Sequence, residues 1–198
     1  MNVEATTTVA NAGPTQNLCN TTSGILAANA VAGSETGTWT TVSGTGSASS
    51  LNSATSAVTG LTIGGTTVLR WNITSANGGC KATTSDVTIN SDATTTVAAA
   101  GPTQNLCNTT SGTLAANAVA GSETGTWTTV SGTGSASSVN SATSAVTGLT
   151  IGGTTVLRWT ITAGFGGCTA STNDVTINVY LFYTLAPADE GQSVCLIT

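Results

Sequence analysis

The side chains best equipped for chemistry in this chain are five cysteines, Cys19, Cys80, Cys107, Cys168 and Cys195. A thiol can act as a nucleophile, a metal ligand or half of a disulfide. A nucleophilic thiol needs a base to take its proton, and the sequence contains no histidine, the commonest one. Zinc needs closely grouped nitrogen or sulfur ligands, and neither His nor a close Cys pair is present. Four of the cysteines make two equivalent pairs, Cys19 with Cys80 and Cys107 with Cys168, each 61 residues apart. One disulfide within each pair is the simplest reading, and it implies an oxidising, extracellular setting. Two buried thiols per pair are the alternative. Closing a loop of that length stabilises by about 4 kcal/mol in the chain-entropy picture. Cys195 is then unpaired, the first half of a pair whose second half lies beyond the chain end.

The charged groups offer less. Arg70 accompanies Glu35 and Asp86, and Arg158 accompanies Glu123 and Asp174. Two carboxylates at a set separation could hydrolyse a glycoside, but a structural Arg–carboxylate pair or solvated turn residues fit these positions better. Asp92 could help hold calcium, yet calcium wants six to eight oxygens and no Asp-x-Asp cluster exists. No metal, cofactor or catalytic residue is assigned, and the chain is read as a non-enzyme. Lys81, the single lysine, is replaced by Thr169 at the equivalent later position, so a lysine cross-link is not a shared property. Asn20, Asn72 and Asn108 open N-x-[ST] triplets, a weak signal in a chain with 44 Thr. Trp39, Trp71, Trp127 and Trp159 could stack on sugars or fill a core. Trp71 alternates with Leu69 and Ile73, which favours the core. Phe165 sits among small residues and is the best candidate for an exposed aromatic contact.

Composition narrows the partners. Only 6% of the 198 residues are charged, and three are basic. So few cations cannot displace counterions from a phosphate backbone or hold an anionic membrane surface. No run of 18 apolar residues exists to insert in a membrane, and MNVEATTTV lacks the basic start and apolar core of a signal peptide.

These residues recur because the sequence is a repeat. Residues 6–91 align without a gap to 94–179, an offset of 88, with 11 differences in 86 positions. Seven of the eleven fall between positions 72 and 85, where SANGGC (75–80) becomes AGFGGC (163–168), as expected of an exposed loop. Residues 1–5 match the end of a preceding repeat, and APADEGQSVC (186–195) is in register with ANAGPTQNLC (10–19). The expected organisation is therefore 1–5, 6–91, 94–179 and 180–198, the last being the start of a third repeat. Thr and Val favour strands while Gly, Asn and Ser favour turns. Strands are predicted near 5–10, 24–29, 37–43, 55–61, 66–74 and 81–90, with a weak one near 47–51. Six or seven short strands in under 90 residues predict an all-β fold of tandem immunoglobulin-like sandwiches, roughly seven strands each. The short link INSDATTTV predicts repeats joined almost strand to strand.

The series AGPTQNLC, GTWTTVSG, AVTGLTIGGTTVLRWTIT and GGCTASTNDVTINV resembles the Ig-like tandem repeats of very large type IX-secreted cell-surface proteins of gliding bacteria, of which the SprB-type gliding adhesins are an example. The resemblance covers residues 6–179 and, in the opening motif only, 186–195. It implies a stalk or filament segment of a cell-surface adhesin, with neighbouring repeats, and in some settings surface polysaccharide, as partners. Two other readings stand beside it. One is a carbohydrate- or ice-binding sandwich using Trp39 or steps such as Thr38-Trp39-Thr40. The other is a self-assembling extracellular filament subunit.

Overall fold

A computed structural model describes residues 6–75, 80–184 and 193–195. The chain forms two compact units, Met1–Thr94 with Ala163–Cys168, and Thr95–Thr162 with Thr169–Thr198. The first holds β1 (Gln16–Cys19), β2 (Ser23–Ile25), β3 (Thr36–Ser43), β4 (Ser47–Ala48), β5 (Ala57–Thr59), β6 (Gly65–Thr74) and β7 (Thr83–Asp92). One sheet runs β1-β7-β6-β3 and the other β2-β5-β4. The pattern follows from side-chain alternation. Along β6, Thr67, Leu69, Trp71 and Ile73 point inward, while Val68, Arg70 and Asn72 lie on the other face. Trp39 of β3, Val87 and Ile89 of β7, and Leu26, Val58 and Leu61 from the facing layer complete the core.

The second unit repeats this plan with β8 (Gln104–Cys107), β9 (Ser111–Thr113), β10 (Thr124–Ser131), β11 (Ser135–Ala136), β12 (Ala145–Thr147), β13 (Thr154–Thr162) and β14 (Ser171–Tyr180). Its sheets run β10-β13-β14-β8 and β11-β12-β9 around Trp127, Leu157, Trp159, Ile161, Val175 and Ile177. β15 (Phe182–Thr184) then pairs with β16 (Ser193–Cys195). The all-β reading holds among the described residues, with seven sandwich strands in each unit and the β15–β16 pair in addition in the second. Residues 1–5, 76–79, 185–192 and 196–198 lie outside the described residues, so the expected preceding-repeat end and most of the third-repeat start do as well.

One strand was misplaced. Residues 6–10 form no ladder; their backbone groups bond to side chains instead. Thr8 N donates to Glu35 Oε1 (2.7 Å), Ala10 N donates to Thr83 Oγ1 (3.1 Å), and Thr83 Oγ1 donates to Thr8 O (2.6 Å). The first strand comes later, at β1, which runs parallel to β7. A parallel partner so far along the chain leaves no hairpin signal in the sequence.

Candidate functional site

The parallel pairing of β1 with β7 sets the site. Its register places Gln16 opposite Ile89 and Cys19 opposite Asp92, so a cysteine near the start of the repeat lies beside the acid at its end. Side chains hold β1 there. Gln16 Nε2 donates to Ile25 O (2.8 Å), and Asn90 Nδ2 donates to Asn17 Oδ1 (2.8 Å). After Cys19 the chain turns through Asn20 at φ 47°, a left-handed conformation that Asn tolerates better than most residues. Asn20 N donates to Asp92 O (2.8 Å), closing the turn.

Onto this edge comes Ala163–Cys168, which by sequence belongs to the second repeat and by packing to the first unit. The Asp92 carboxylate, only 2% exposed, accepts hydrogen bonds from Phe165 N (3.0 Å) and Gly167 N (2.7 Å). An ionised carboxylate accepts only, so two converging backbone N–H donors match it. Gly166 makes the bend at φ 75°. A Cβ on Gly167 would collide with the Leu18 backbone, so the approach requires glycine there. Cys168 then bonds Cys19 in a disulfide, with a Cα–Cα distance of 4.6 Å. The Cys168 sulfur, which carries no proton in that bond, lies 3.2 Å from Ala93 O.

This corrects the expected pairing. Cys19 joins Cys168, not Cys80, across a sequence separation of 149, and Cys168 is therefore not the partner of Cys107. Cys107 is itself disulfide-bonded. Cys80 is half-buried, and its backbone N donates to Ser75 Oγ (3.4 Å). The side chain of Cys195, expected to be unpaired, lies outside the described residues. In the chain-entropy picture the observed cross-link stabilises by about 5 kcal/mol, slightly more than a 61-residue loop would.

Asp92 was legible as an acid near the repeat boundary, but not as the anchor of this loop. The readable signal was the Gly-Gly-Cys run, whose adjacent glycines allow both the bend and the close approach. The acid is not duplicated: Tyr180 occupies its place at the end of β14 and keeps only the backbone part, accepting from Asn108 N (2.9 Å). Phe165 is half-buried, and its described hydrogen bond comes from its backbone.

The remaining candidates are structural. Trp39, Trp71, Trp127 and Trp159 are each 1–2% exposed, so none offers a face to a sugar. Trp39 stands opposite Trp71 with ring centroids 4.9 Å apart, and Trp127 opposite Trp159 at 5.0 Å. Arg70 and Arg158 reach across one strand pair to hold Asp86 and Asp174 through two bonds each, of 2.7 and 2.9 Å. The guanidinium hydrogen bond lowers each aspartate's pKa. Glu35 is also lowered, chiefly by hydrogen bonding from Thr8 and then by Ala32 N. Burial pushes Glu123 upward, but N–H donation from Ala120 and Thr96 outweighs it and leaves a net lowering. Among the described residues no group of three or more His, Cys, Asp or Glu gathers to hold a metal. No helix among them is long and apolar enough to cross a membrane.

No family model and no curated protein matches the chain. Solved structures do. A murine CEACAM1b structure is similar over 82% of this chain and 95% of its own, with a TM-score of 0.56 and 10% identity. The Clostridium thermocellum CbhA fibronectin(III)-like modules match over 93% and 98%, with a TM-score of 0.44 and 11% identity. At 10% identity the likeness to the CEACAM1b structure speaks for the fold alone, which is that of Ig-like β-sandwiches.

Proposed function

We propose that this chain is a structural stalk or filament segment of a large repetitive protein of the bacterial cell surface, serving adhesion and not catalysis. The observation that carries this reading is the Cys19–Cys168 bond. It binds the opening strand of one sequence copy to the closing loop of the next, a feature with use only where copies follow one another. A disulfide also suits an oxidising, extracellular compartment. The buried tryptophans and the cross-strand Arg–Asp pairs support a scaffold, since those indoles and those charges are engaged in the fold. The resemblance to type IX-secreted repeats of gliding bacteria names the finer setting within this proposal. Neighbouring repeats are its partners.

A glycan array and an ice-recrystallisation assay on the oxidised chain test the reading. Neither should respond. Saturable binding to a polysaccharide, or inhibition of ice growth at micromolar concentration, would replace the stalk with a ligand-binding module.

A further inference from the structure

We propose that the Cys19–Cys168 bond diverts mechanical load around most of the chain and keeps the bypassed residues as a hidden reserve of length. A pull on the two ends reaches the disulfide at Cys19 and leaves it at Cys168. Covalent bonds carry that load, so the intervening segment cannot be drawn out end to end even if its sheets come apart. The segment contains every strand from β2 (Ser23–Ile25) to β13 (Thr154–Thr162). Of the fourteen sandwich strands, only β1 and β14 lie on the loaded path. The cross-link spans 149 residues of sequence, or roughly 500 Å of extended chain at about 3.5 Å per residue.

The site is built to keep this bypass closed. Asp92 holds the 163–168 loop through Phe165 N and Gly167 N, Gly167 lies against the Leu18 backbone, and β1 is pinned by Gln16 and Asn17. The disulfide thus sits between two anchored segments. A pairing within each repeat would protect less, because the chain between Cys80 and Cys107 would then lie on the loaded path. The proposal takes its biological use from the stalk reading, whereas the load path is a separate claim with its own measurement.

Single-molecule force extension of the whole chain, held at its two ends, provides that measurement. Without reductant the loaded path is the chain before Cys19 and after Cys168, and the full extension should be about 175 Å. The bond at Cys107 can shorten this path but not lengthen it. The variant Cys80→Ser should extend to the same length. A phosphine reductant converts each disulfide to two thiols, itself becoming the phosphine oxide with oxygen from water. The extension should then rise about fourfold, to roughly 700 Å. An unreduced extension near 270 Å, the value for bonds within each repeat, would overturn the proposal. So would a gain in length in Cys80→Ser, or equal extensions before and after reduction. None of these results depends on whether the chain binds a glycan, so the stalk reading and the load path can fail separately.

Discussion

Replacing Asp92 with Ala removes the acceptor for two backbone donors, Phe165 N at 3.0 Å and Gly167 N at 2.7 Å. Hydrogen bonds to a charged group contribute about 1.5–3 kcal/mol each, and stranding a buried donor costs about 1–3 kcal/mol. The disulfide keeps the loop in place, and Phe165 and Gly167 are only half-buried, so water can reach part of what is lost. That argues for the low end of each range, about 2–3 kcal/mol in total. For a unit of this size the melting point should fall by roughly 10–15 °C. Asp92→Asn keeps one acceptor oxygen and should lose about half as much. Calorimetry in non-reducing buffer reads the melting, and amide exchange reads the loop directly. The amides of Phe165 and Gly167 should exchange faster in Asp92→Ala, with the β10–β13 pairing unaffected. If both amides exchange as in the parent and the melting point moves by less than about 2 °C, equivalent to under about 0.5 kcal/mol, the carboxylate is not the anchor.

Other perturbations test the packing and the electrostatics. Gly37 and Gly125 lie against the indoles of Trp71 and Trp159, where a Cβ would overlap the ring. Gly37→Ala or Gly125→Ala should therefore destabilise its own unit by about 1–3 kcal/mol, read by denaturant titration. Asn20→Ala forces an ordinary side chain into φ 47° and should cost about 1 kcal/mol, while Asn20→Gly should be close to neutral in the same titration. Arg70→Met removes an exposed, solvent-screened ion pair, and the unfolding midpoint should barely move in the same titration. Asp86 and Asp174 have lowered pKa values in the folded chain. Their stabilisation is complete above the ordinary carboxylate range and disappears as pH falls through the lowered values. An NMR titration should find both midpoints below the ordinary aspartate range, and Arg70→Met should return Asp86 towards it.

Much of the fold was legible in the sequence because it rests on local chemistry. The alternation of Leu69, Trp71 and Ile73 marks β6 as a two-faced strand, and the structure buries all three residues. The Gly-, Asn- and Ser-rich turns separate strands in the order found. The repeat itself predicts two similar units. What escaped is the stretch at 6–10, where Glu35 and Thr83 satisfy backbone groups that a ladder would otherwise take. Which side chain meets an extended backbone is a long-range matter, and Thr-rich sequence looks alike in both cases.

The cysteines divide the two kinds of knowledge most sharply. Sequence alone established the five thiols, their 88-residue period and the absence of histidine. It did not fix the partners, because in a periodic chain a first-type cysteine has a second-type cysteine both in its own repeat and in the next, and the nearer one, which the sequence favours, is not the one bonded. Only the tertiary structure decided. Parallel pairing of β1 with β7 carries Cys19 to the end of its repeat beside Asp92, and two backbone N–H groups fix the next repeat's Gly-Gly-Cys loop on that carboxylate. The Cα atoms of Cys19 and Cys168 come within 4.6 Å, inside the narrow range a disulfide permits. Proximity in space chooses the bond, and spacing along the chain does not encode it.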